Sequence, residues 1–306
     1  MAETLVKAID LFAGAGGFST GARMAGVEVV WAANHWQAAV DTHATNHPET
    51  AHACQDLHQA DWSKVPKHDI LLASPACQGH SRARGKDRPH HDATRSTAWA
   101  VVACAEVHRP KVVVVENVPE FLKWSLFPAW RMAMSTLGYS IDPHVLDAAD
   151  FGVPQHRRRV FIICTRKAGS IDLETHKRTH VPALSIIDDS VQRWSNVEKL
   201  CKRTQERVAE GRRVHGSRFL VAYYGNEKGG RSLARPIGTV TTRDRYAIVD
   251  DDRLRMLNVH EYRRAMGFPN DYILPANRRL ATHMLGNAVC PPVAAAVISA
   301  CKESMA

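Results

Sequence analysis

Short apolar runs alternate along the first half of the chain with segments of helical periodicity. Residues 27–33, which are apolar except for Glu28, and residues 70–73 are such runs, and residues 111–115 include four consecutive valines. A run of this length that is apolar throughout is typical of a parallel strand buried on both faces of a sheet. The pattern therefore predicts an α/β fold with a parallel or mixed sheet of the Rossmann type.

The pattern also predicts where the elements lie and where the chain divides. Strands are predicted over residues 6–12, 27–33, 52–54, 69–74, 111–115, 140–146, 160–164 and 219–224. Helices are predicted over residues 18–25, 98–108, 121–137, 195–211 and 254–266, with a last one reaching about residue 301. Because the Rossmann pattern ends near residue 165, we predict three segments: residues 1–164, 165–250 and 251–306.

A cysteine lies where α/β enzymes place their chemistry. Cys77 follows the predicted strand 70–73 and precedes a long polar and basic segment, residues 82–97. Ligands of such sheets bind beyond the carboxyl ends of the strands, so Cys77 is a candidate nucleophile. The alternative is a buried structural cysteine, which is the commoner fate of a lone cysteine.

A glutamate ends the strand of four valines. Burial of Glu116 at an apolar strand end is costly unless the carboxyl is used or paired, and burial should raise its pKa. Glu116 could instead cap the helix that starts near Pro119. However, Cys77 and Glu116 end two strands joined by one crossover helix. We therefore expect their side chains to converge at one edge of the sheet.

Two further segments carry candidate groups. Arg157 and Arg159 enter the predicted strand 160–164, and because strand side chains alternate, both face one side while Arg158 faces the other. A basic surface strand is the alternative. The glycine-rich turn, residues 13–17, follows the first strand and suits close approach of a nucleotide-like cofactor, or it is only a tight connection.

In their order and spacing, these segments resemble the motifs of the cytosine carbon-5 DNA methyltransferases. The resemblance is collinear from Asp10 to Val293 and rests on residues 10–17, 74–81, 116–118, 155–159, 235–242 and 286–289. It implies a Rossmann-like methyltransferase that uses S-adenosyl-L-methionine, with a catalytic domain, a small target-recognition lobe and carboxyl-terminal helices that return to the catalytic domain. Ala76 and His35 depart from the family pattern, which usually has proline and an acidic residue there.

The resemblance also implies a role for individual residues. Cys77 would attack carbon 6 of a cytosine, Glu116 would bond the ring nitrogen and amine, and Arg159 would hold the carbonyl. Arg157 would support Cys77 or a phosphate. The residues that would contact S-adenosylmethionine are Phe12, Ala13, Gly14, Gly16, Gly17, Phe18, His35, Trp36, Asp56, Leu57, Pro75, Asn287, Ala288 and Val289.

The charge balance suits a polyanionic partner. Forty Lys and Arg residues against 31 Asp and Glu residues give a net charge of +9. A merely basic protein would show the same balance. The resemblance implies double-stranded DNA, with the target base flipped out of the stack. The candidate DNA-binding residues are Gln78, Ser81, Arg82, Arg84, Lys86, Tyr223, Tyr224, Asn226, Lys228 and Arg231. Several of those in the lobe could contact only phosphate, which positions DNA without reading its sequence.

Cysteine usage and hydropathy indicate the compartment. The seven cysteines include no CxxC pair, so neither a disulfide framework nor a zinc site is expected, and a reducing cytoplasm is predicted. We expect no metal, no signal peptide and no membrane span. The expected setting is a bacterial or phage-infected cell, with a monomer acting on DNA. A cognate restriction endonuclease is a candidate partner.

Three other functions are compatible with parts of the sequence. A small recognition lobe and a high positive charge would also suit an RNA cytosine methyltransferase of the same fold. A non-catalytic DNA-binding relative is disfavoured because Cys77, Glu116, Arg157 and Arg159 are all present. A Rossmann dehydrogenase is disfavoured because the strict glycine fingerprint and an acid at position 35 are missing.

Overall fold

The computed structural model of the chain describes residues 5–76, 96–167, 171–223, 227 and 229–305. Within these residues, the larger sheet has seven strands: β1 (Lys7–Leu11), β2 (Glu28–Asn34), β3 (Ala51–Cys54), β4 (Ile70–Ala73), β5 (Val112–Asn117), β6 (Ser140–Asp147) and β7 (Arg158–Thr165). Their spatial order is β3-β2-β1-β4-β5-β7-β6. The first five are parallel, and β7 runs antiparallel to β5 and β6. The predicted α/β fold with a mixed, Rossmann-like sheet is confirmed.

Helices cover both faces of this sheet. The helices in the described part of the chain are α1 (Gly17–Met24), α2 (Gln37–Asn46), α3 (Trp99–His108), α4 (Phe127–Thr136), α5 (Lys202–His215), α6 (Val259–Ala265), α7 (Arg278–Asn287) and α8 (Pro291–Met305). Of these, α5 packs on the second sheet, which is described below. Apolar residues of α1, α2, α7 and α8 pack in one core with Val112 and Val114. Residues of α3 and α4 pack in the other core with Val113 and Val115. The run of valines is apolar throughout because alternate side chains enter different cores.

A smaller antiparallel sheet follows in the second half of the chain. Its strands are β8 (Ser195–Asn196), β9 (Arg218–Ala222), β10 (Tyr246–Asp250) and β11 (Arg253–Met256), in the order β8-β11-β10-β9. Helix α5 covers one face, where Val208 packs with Phe219, Val221 and Val249. The predicted boundary at residue 250 falls inside the β10–β11 hairpin. The division of the chain into three segments stays a prediction.

The predicted helix over residues 254–266 is wrong in its first half. Arg253–Met256 is strand β11, and α6 begins only at Val259. Asn258 starts α6 with a capping box, in which its side chain accepts from the Glu261 N–H and the Glu261 carboxylate accepts from the Asn258 N–H. Glu261 also forms a buried ion pair with Arg255, which fixes the turn between strand and helix.

Two other predicted helices have different bounds. The predicted helix 195–211 is α5 at Lys202–His215, since Asn196 instead caps a short 3-10 turn at Val197–Lys199. The predicted helix 121–137 is a 3-10 turn at Pro119–Lys123 followed by α4. Proline in the first turn of α4 starts the new helix.

The carboxyl-terminal helices return to the first strands of the chain. The stretch Arg278–Met305 is long and apolar enough to cross a membrane by length and composition alone. However, it is two helices with a break between them, and 72% of its most apolar window is buried within the protein. Helix α8 packs along α1 at Gly21, where an added Cβ would lie 2.5 Å from Ala294 Cβ and 2.8 Å from the Pro291 carbonyl oxygen.

We expect Gly21→Ala to lower the free energy of unfolding by about 1–3 kcal/mol, because the methyl group would force α1 and α8 apart. Urea unfolding followed by circular dichroism measures the change. Gly229→Ala is the matched control, since its Cβ would make only an ordinary contact with Glu210 at 3.8 Å. An equal stability of the two variants would contradict this account of the helix pair.

Candidate active site

The carboxyl ends of four parallel strands meet at one edge of the larger sheet. Main-chain hydrogen bonds join the segments that leave them: Ala13 N–H donates to Ala33 O at 3.1 Å, Gln55 N–H to Asn34 O at 3.0 Å, and Ser74 N–H to Leu11 O at 3.1 Å. The order β3-β2-β1-β4-β5 reverses direction between β1 and β4. Such a reversal opens a crevice that holds ligands in α/β folds.

The glycine-rich turn after β1 has an unusual backbone. Phe12, Gly14 and Gly16 all have positive φ, at 61°, 54° and 80°. A bulky residue rarely adopts this conformation, and such residues cluster at functional sites. A Cβ at Gly14 would meet only the Phe12 carbonyl oxygen at 3.7 Å, so there is room for a ligand beside it. Gly17 instead lies against the main chain of Val289, which an added Cβ would overlap.

The other predicted cofactor residues lie along the same edge. His35 and Asp56 are exposed at the ends of β2 and β3, and the Asp56 carboxylate accepts from the His58 N–H at 3.0 Å. Trp36 is half-buried, and its ring meets that of His283 edge-on at 5.6 Å. Leu57 is buried in the core, as is Phe18. Asn287 is exposed at the end of α7, and Ala288 and Val289 are buried.

A buried acid and a guanidinium occupy the end of β5. Glu116 is 7% exposed, and its Oε1 lies 3.2 Å from Arg159 Nε on the neighbouring strand β7. Burial raises the pKa of Glu116, and the charges of Arg159 and Arg157 oppose that rise only in part. The upward shift that the sequence predicted from an apolar strand end is confirmed in direction.

The chain that leaves β4 is held beside this pair. The Asn117 side chain donates to the Pro75 carbonyl at 3.1 Å, and the Ser74 hydroxyl donates to the Phe12 carbonyl at 3.2 Å. Ser74 and Pro75 together therefore join the glycine-rich turn to the end of β5. The next residue but one, Cys77, lies outside the described residues, as do Gln78, Ser81, Arg82, Arg84 and Lys86.

The Arg157 side chain is buried and makes contacts that its sequence position did not indicate. It is 3% exposed, and its guanidinium donates to the carbonyls of Val240 at 3.1 Å and of Gly286 and Ala288 at 3.0 Å. Support of Cys77 or of a phosphate by Arg157 stays a prediction. The described contacts of Arg157 tie the segment before the second sheet's hairpin and the returning chain to the residues that precede β7.

Sequence reasoning missed further residues that shape the site. Gln155 is fully buried; its amide donates to Ala265 O at 2.9 Å and its carbonyl accepts from Val240 N–H at 2.6 Å. Tyr272 donates its hydroxyl proton to the carbonyl of Ala15 within the glycine-rich turn. Only the polar character of Gln155, two residues before Arg157, could have pointed to such a role.

The predicted DNA-binding residues of the lobe are described only in part. Tyr224, Asn226 and Lys228 lie outside the described residues. The Tyr223 ring is half-buried, with the Arg207 guanidinium 5.3 Å from its centroid. Arg231 is paired with Glu227 through two hydrogen bonds of 2.9 and 2.7 Å, which fix the direction of its guanidinium.

Comparison with known proteins decides the family. A sequence model of the family described as "C-5 cytosine-specific DNA methylase" matches residues 6–303. The chain belongs to the C-5 cytosine-specific DNA methylase family. It is therefore a DNA (cytosine-5-)-methyltransferase, and the resemblance stated from the sequence is confirmed.

Relatives of this DNA methylase are found among type II methyltransferases. M.BsuFI of Bacillus subtilis is 28% identical over 97% of this chain and 72% of that protein. M.HhaI of Haemophilus parahaemolyticus is 27% identical over 94% of this chain and 91% of that protein. The structure of the Entamoeba histolytica methyltransferase EhMeth is similar in fold, with a TM-score of 0.71 and 16% identity over 99% of this chain and all of that one.

We expect Arg157→Met to lower the free energy of unfolding by about 3 kcal/mol, because buried carbonyls lose charged donors. The KM for the methyl donor should rise as the segment around Ala288 loosens. Denaturant unfolding and steady-state kinetics measure both effects. Arg158→Met is the control, because Arg158 is the exposed next residue in the sequence, at the start of β7. An Arg157→Met protein as stable as the control would contradict the structural role of Arg157.

We expect Glu116→Gln to lower kcat by roughly 10²–10⁴-fold, the range for loss of a general acid or base. Its effect on stability should depend on pH. Since the folded protein holds a proton on Glu116 above the usual pKa of 4.5, the wild type loses stability as pH rises through and above 4.5.

The glutamine has no proton to lose. The free energy of unfolding of Glu116→Gln, relative to that of the wild type, should therefore increase as the pH rises from 4 to 8. Melting temperatures across that range measure the difference. Glu106→Gln, at an exposed position, provides the control. A relative stability of Glu116→Gln that stays flat or falls with pH would refute the raised pKa.

Proposed function

We propose that the enzyme transfers a methyl group from S-adenosylmethionine to carbon 5 of a cytosine flipped out of duplex DNA, through a covalent adduct of Cys77 with carbon 6. The observation that carries this proposal is the buried Glu116–Arg159 pair at the end of β5. Strand β4, from which the chain leads to Cys77, is the neighbour of β5 in the sheet. A thiol, a buried acid and a guanidinium are the groups that this reaction needs.

Each of these side chains has one task in the proposed reaction. Carbon 5 of cytosine is a poor nucleophile, and addition of the Cys77 thiolate at carbon 6 makes it an enamine. Glu116 donates a hydrogen bond to the ring nitrogen as negative charge enters the ring, and its raised pKa favours the protonated form. Arg159 holds the cytosine carbonyl. After methylation, solvent takes the carbon-5 proton, the double bond between carbons 5 and 6 forms again, and the bond from carbon 6 to Cys77 breaks, which restores the aromatic ring.

The edge formed by β1 to β4 suits S-adenosylmethionine, which would supply the methyl group from its sulfonium. Support comes from the free space beside Gly14 and from the aromatic ring of Phe12, since an aromatic face favours a cation. We assign the cofactor to Phe12, Ala13, Gly14, Gly16, Gly17, Phe18, His35, Trp36, Asp56, Leu57, Pro75, Asn287, Ala288 and Val289. His35 would bond a ribose hydroxyl in place of the usual acid.

Recognition of DNA is assigned to two parts of the chain. The basic segment after Cys77 would close over the duplex through Gln78, Ser81, Arg82, Arg84 and Lys86 and offset the few kcal/mol that base flipping costs. The small lobe at residues 165–250 would read the target through Tyr223, Tyr224, Asn226, Lys228 and Arg231. The bidentate pairing of Arg231 with Glu227 orients its guanidinium.

The proposal extends to the setting of the enzyme. The protein would act as a monomer on DNA in the cytoplasm of a bacterial or phage-infected cell. A restriction endonuclease with the same target sequence is the proposed partner, because curated relatives are named type II methyltransferases. Residues 1–164 would carry the catalysis, and residues 251–306 would complete the cofactor site.

We expect label from methyl-labelled S-adenosylmethionine to enter 5-methyldeoxycytidine when the enzyme is incubated with unmethylated duplex DNA. Cys77→Ser should lose at least a thousandfold in rate, because a hydroxyl is a far weaker nucleophile than a thiolate. Nucleoside digestion and chromatography measure the label. Cys54→Ser is the control, since Cys54 is exposed at the end of the outermost strand β3.

A parallel incubation with transfer RNA decides the substrate. Label that enters RNA and not duplex DNA would overturn the proposed substrate. Label in duplex DNA that survives in Cys77→Ser would overturn the role of Cys77.

A further inference from the structure

Four side chains form one hydrogen-bonded chain next to the glycine-rich turn. Asp10 Oδ2 lies 2.8 Å from Ser19 Oγ, Ser19 Oγ lies 2.9 Å from His43 Nε2, and His43 Nδ1 lies 2.8 Å from His52 Nε2. We name it the Asp10–His52 chain. Asp10 and Ser19 are fully buried, His43 is 1% exposed, and His52 is partly exposed on the outermost strand β3. The chain therefore runs from the centre of the sheet to the protein surface.

Three members of the Asp10–His52 chain lie next to the turn. Asp10 precedes the turn on β1, and Ser19 lies in the first turn of the helix that follows it. His43 packs against Gly16, where an added Cβ would lie 3.2 Å from the imidazole. A charge on Asp10 therefore acts on the turn across a short, dry path, where electrostatic interactions are strong.

The hydrogen bonds of the Asp10–His52 chain can point in either of two directions. Both arrangements contain the same number of protons. In the first, protonated Asp10 donates to Ser19, Ser19 donates to His43 Nε2, and His43 Nδ1–H donates to His52 Nε2. In the second, Ser19 donates to an Asp10 carboxylate, His43 Nε2–H donates to Ser19, and His52 Nε2–H donates to His43 Nδ1. Passage from the first to the second moves one proton along each link, so Asp10 becomes an anion and His52 an imidazolium.

The environments of the three titratable groups permit this exchange. Burial raises the pKa of Asp10 to about 7, against the hydrogen bonds from Ser19. Burial lowers the pKa of His43 well below its ordinary value, so His43 stays neutral and can only pass a proton on. Burial also lowers the pKa of His52, while the Thr50 main chain and the charge of Glu49 oppose that fall. Asp10 therefore exchanges its proton near neutral pH.

Other polar groups near the Asp10–His52 chain are those of His47, Tyr272, Arg23 and Glu49. His47 accepts or donates at 3.2 Å to Thr20 Oγ1, and burial first, then Arg23, lower its pKa to about 4. Tyr272, which holds the turn at Ala15, has a pKa raised by burial. Arg23 and Glu49 are the charged groups that face His47, and no group of three His, Cys, Asp or Glu in the described part of the chain is arranged to hold a metal ion.

We propose that the Asp10–His52 chain is a proton relay through which His52 at the surface sets the charge beside the glycine-rich turn, and that Asp10, Ser19, His43 and His52 are positioning residues for a cationic cofactor. The inference rests on the proposed function, which assigns S-adenosylmethionine to this turn. Methyl transfer converts the sulfonium of that cofactor into a neutral thioether. An Asp10 carboxylate therefore favours the methyl donor over the spent product.

The relay itself is tested in the free protein, without any ligand. Nitrogen NMR of histidine-labelled protein gives the pKa of the His52 imidazole, with His52→Gln used to assign its signals. We expect Asp10→Asn and Ser19→Ala each to lower the pKa of His52, because the imidazolium loses the carboxylate that shares its proton. The double variant should show no further fall. His260→Gln, at an exposed position on α6, is the control.

Additive effects of Asp10→Asn and Ser19→Ala, or an unchanged pKa of His52 in Ser19→Ala, would overturn the relay. The conservative Ser19→Cys should restore part of the coupling, which a merely structural role would not predict. This result does not depend on the cofactor. It therefore stands or falls separately from the proposed function.

The effect on the cofactor is measured by calorimetry with S-adenosylmethionine and with its thioether product, S-adenosylhomocysteine, at pH 8. We expect Asp10→Asn to weaken the donor roughly tenfold, a magnitude set by one charge at short range, and to leave the product unchanged. An equal loss for both ligands would mean that Asp10 only shapes the turn, and would overturn the proposal. If the wild type binds neither ligand, the cofactor assignment is wrong whatever the pKa of His52.

Discussion

One guanidinium determines how the two ends of this fold meet. Main-chain carbonyls inside a protein need donors, and the carbonyls of Val240, Gly286 and Ala288 all find theirs in Arg157. These carbonyls belong to segments that no shared helix or strand joins. Their common donor lies directly before β7, next to the larger sheet. The position of Val289 against Gly17, and with it the shape of the glycine-rich turn, follows from that bond set.

The approach to β7 supplies three such ties from alternate positions. Gln155 holds the chain after α6 and the Val240 main chain, Arg157 holds the return at Ala288, and Arg159 holds Glu116. Because side chains alternate along an extended chain, residues two apart face the same side. A run of five residues thus connects the second sheet, the terminal helices and the buried acid. The exposed Arg158 between them does not take part.

The sequence predicted the features that depend on neighbouring residues. It did not predict the contacts between residues that lie far apart along the chain. The apolar runs predicted the parallel strands, and the alternation predicted that Arg157 and Arg159 share a face. The partners of Arg157 lie 83 to 131 residues further along the chain, so no local pattern could name them. Strand β11 differs from the predicted helix because Arg255, a charged residue, is buried there and paired with Glu261, a contact that no local hydrophobic pattern indicates. The start of α6 does have a local signal, which is the capping box formed by Asn258 and Glu261.

The same long-range ties have a kinetic consequence. The contact between Gly17 and Val289 joins residues 272 positions apart, and α1 packs along α8 at the other end of the chain. Chains with contacts between such distant residues fold slowly, because the entropy cost of closing the loop comes before the contact can stabilise the structure. The first strands therefore remain incompletely covered until the carboxyl-terminal helices have packed against them. Aggregation in that interval, rather than low stability of the finished enzyme, is the hazard built into this topology.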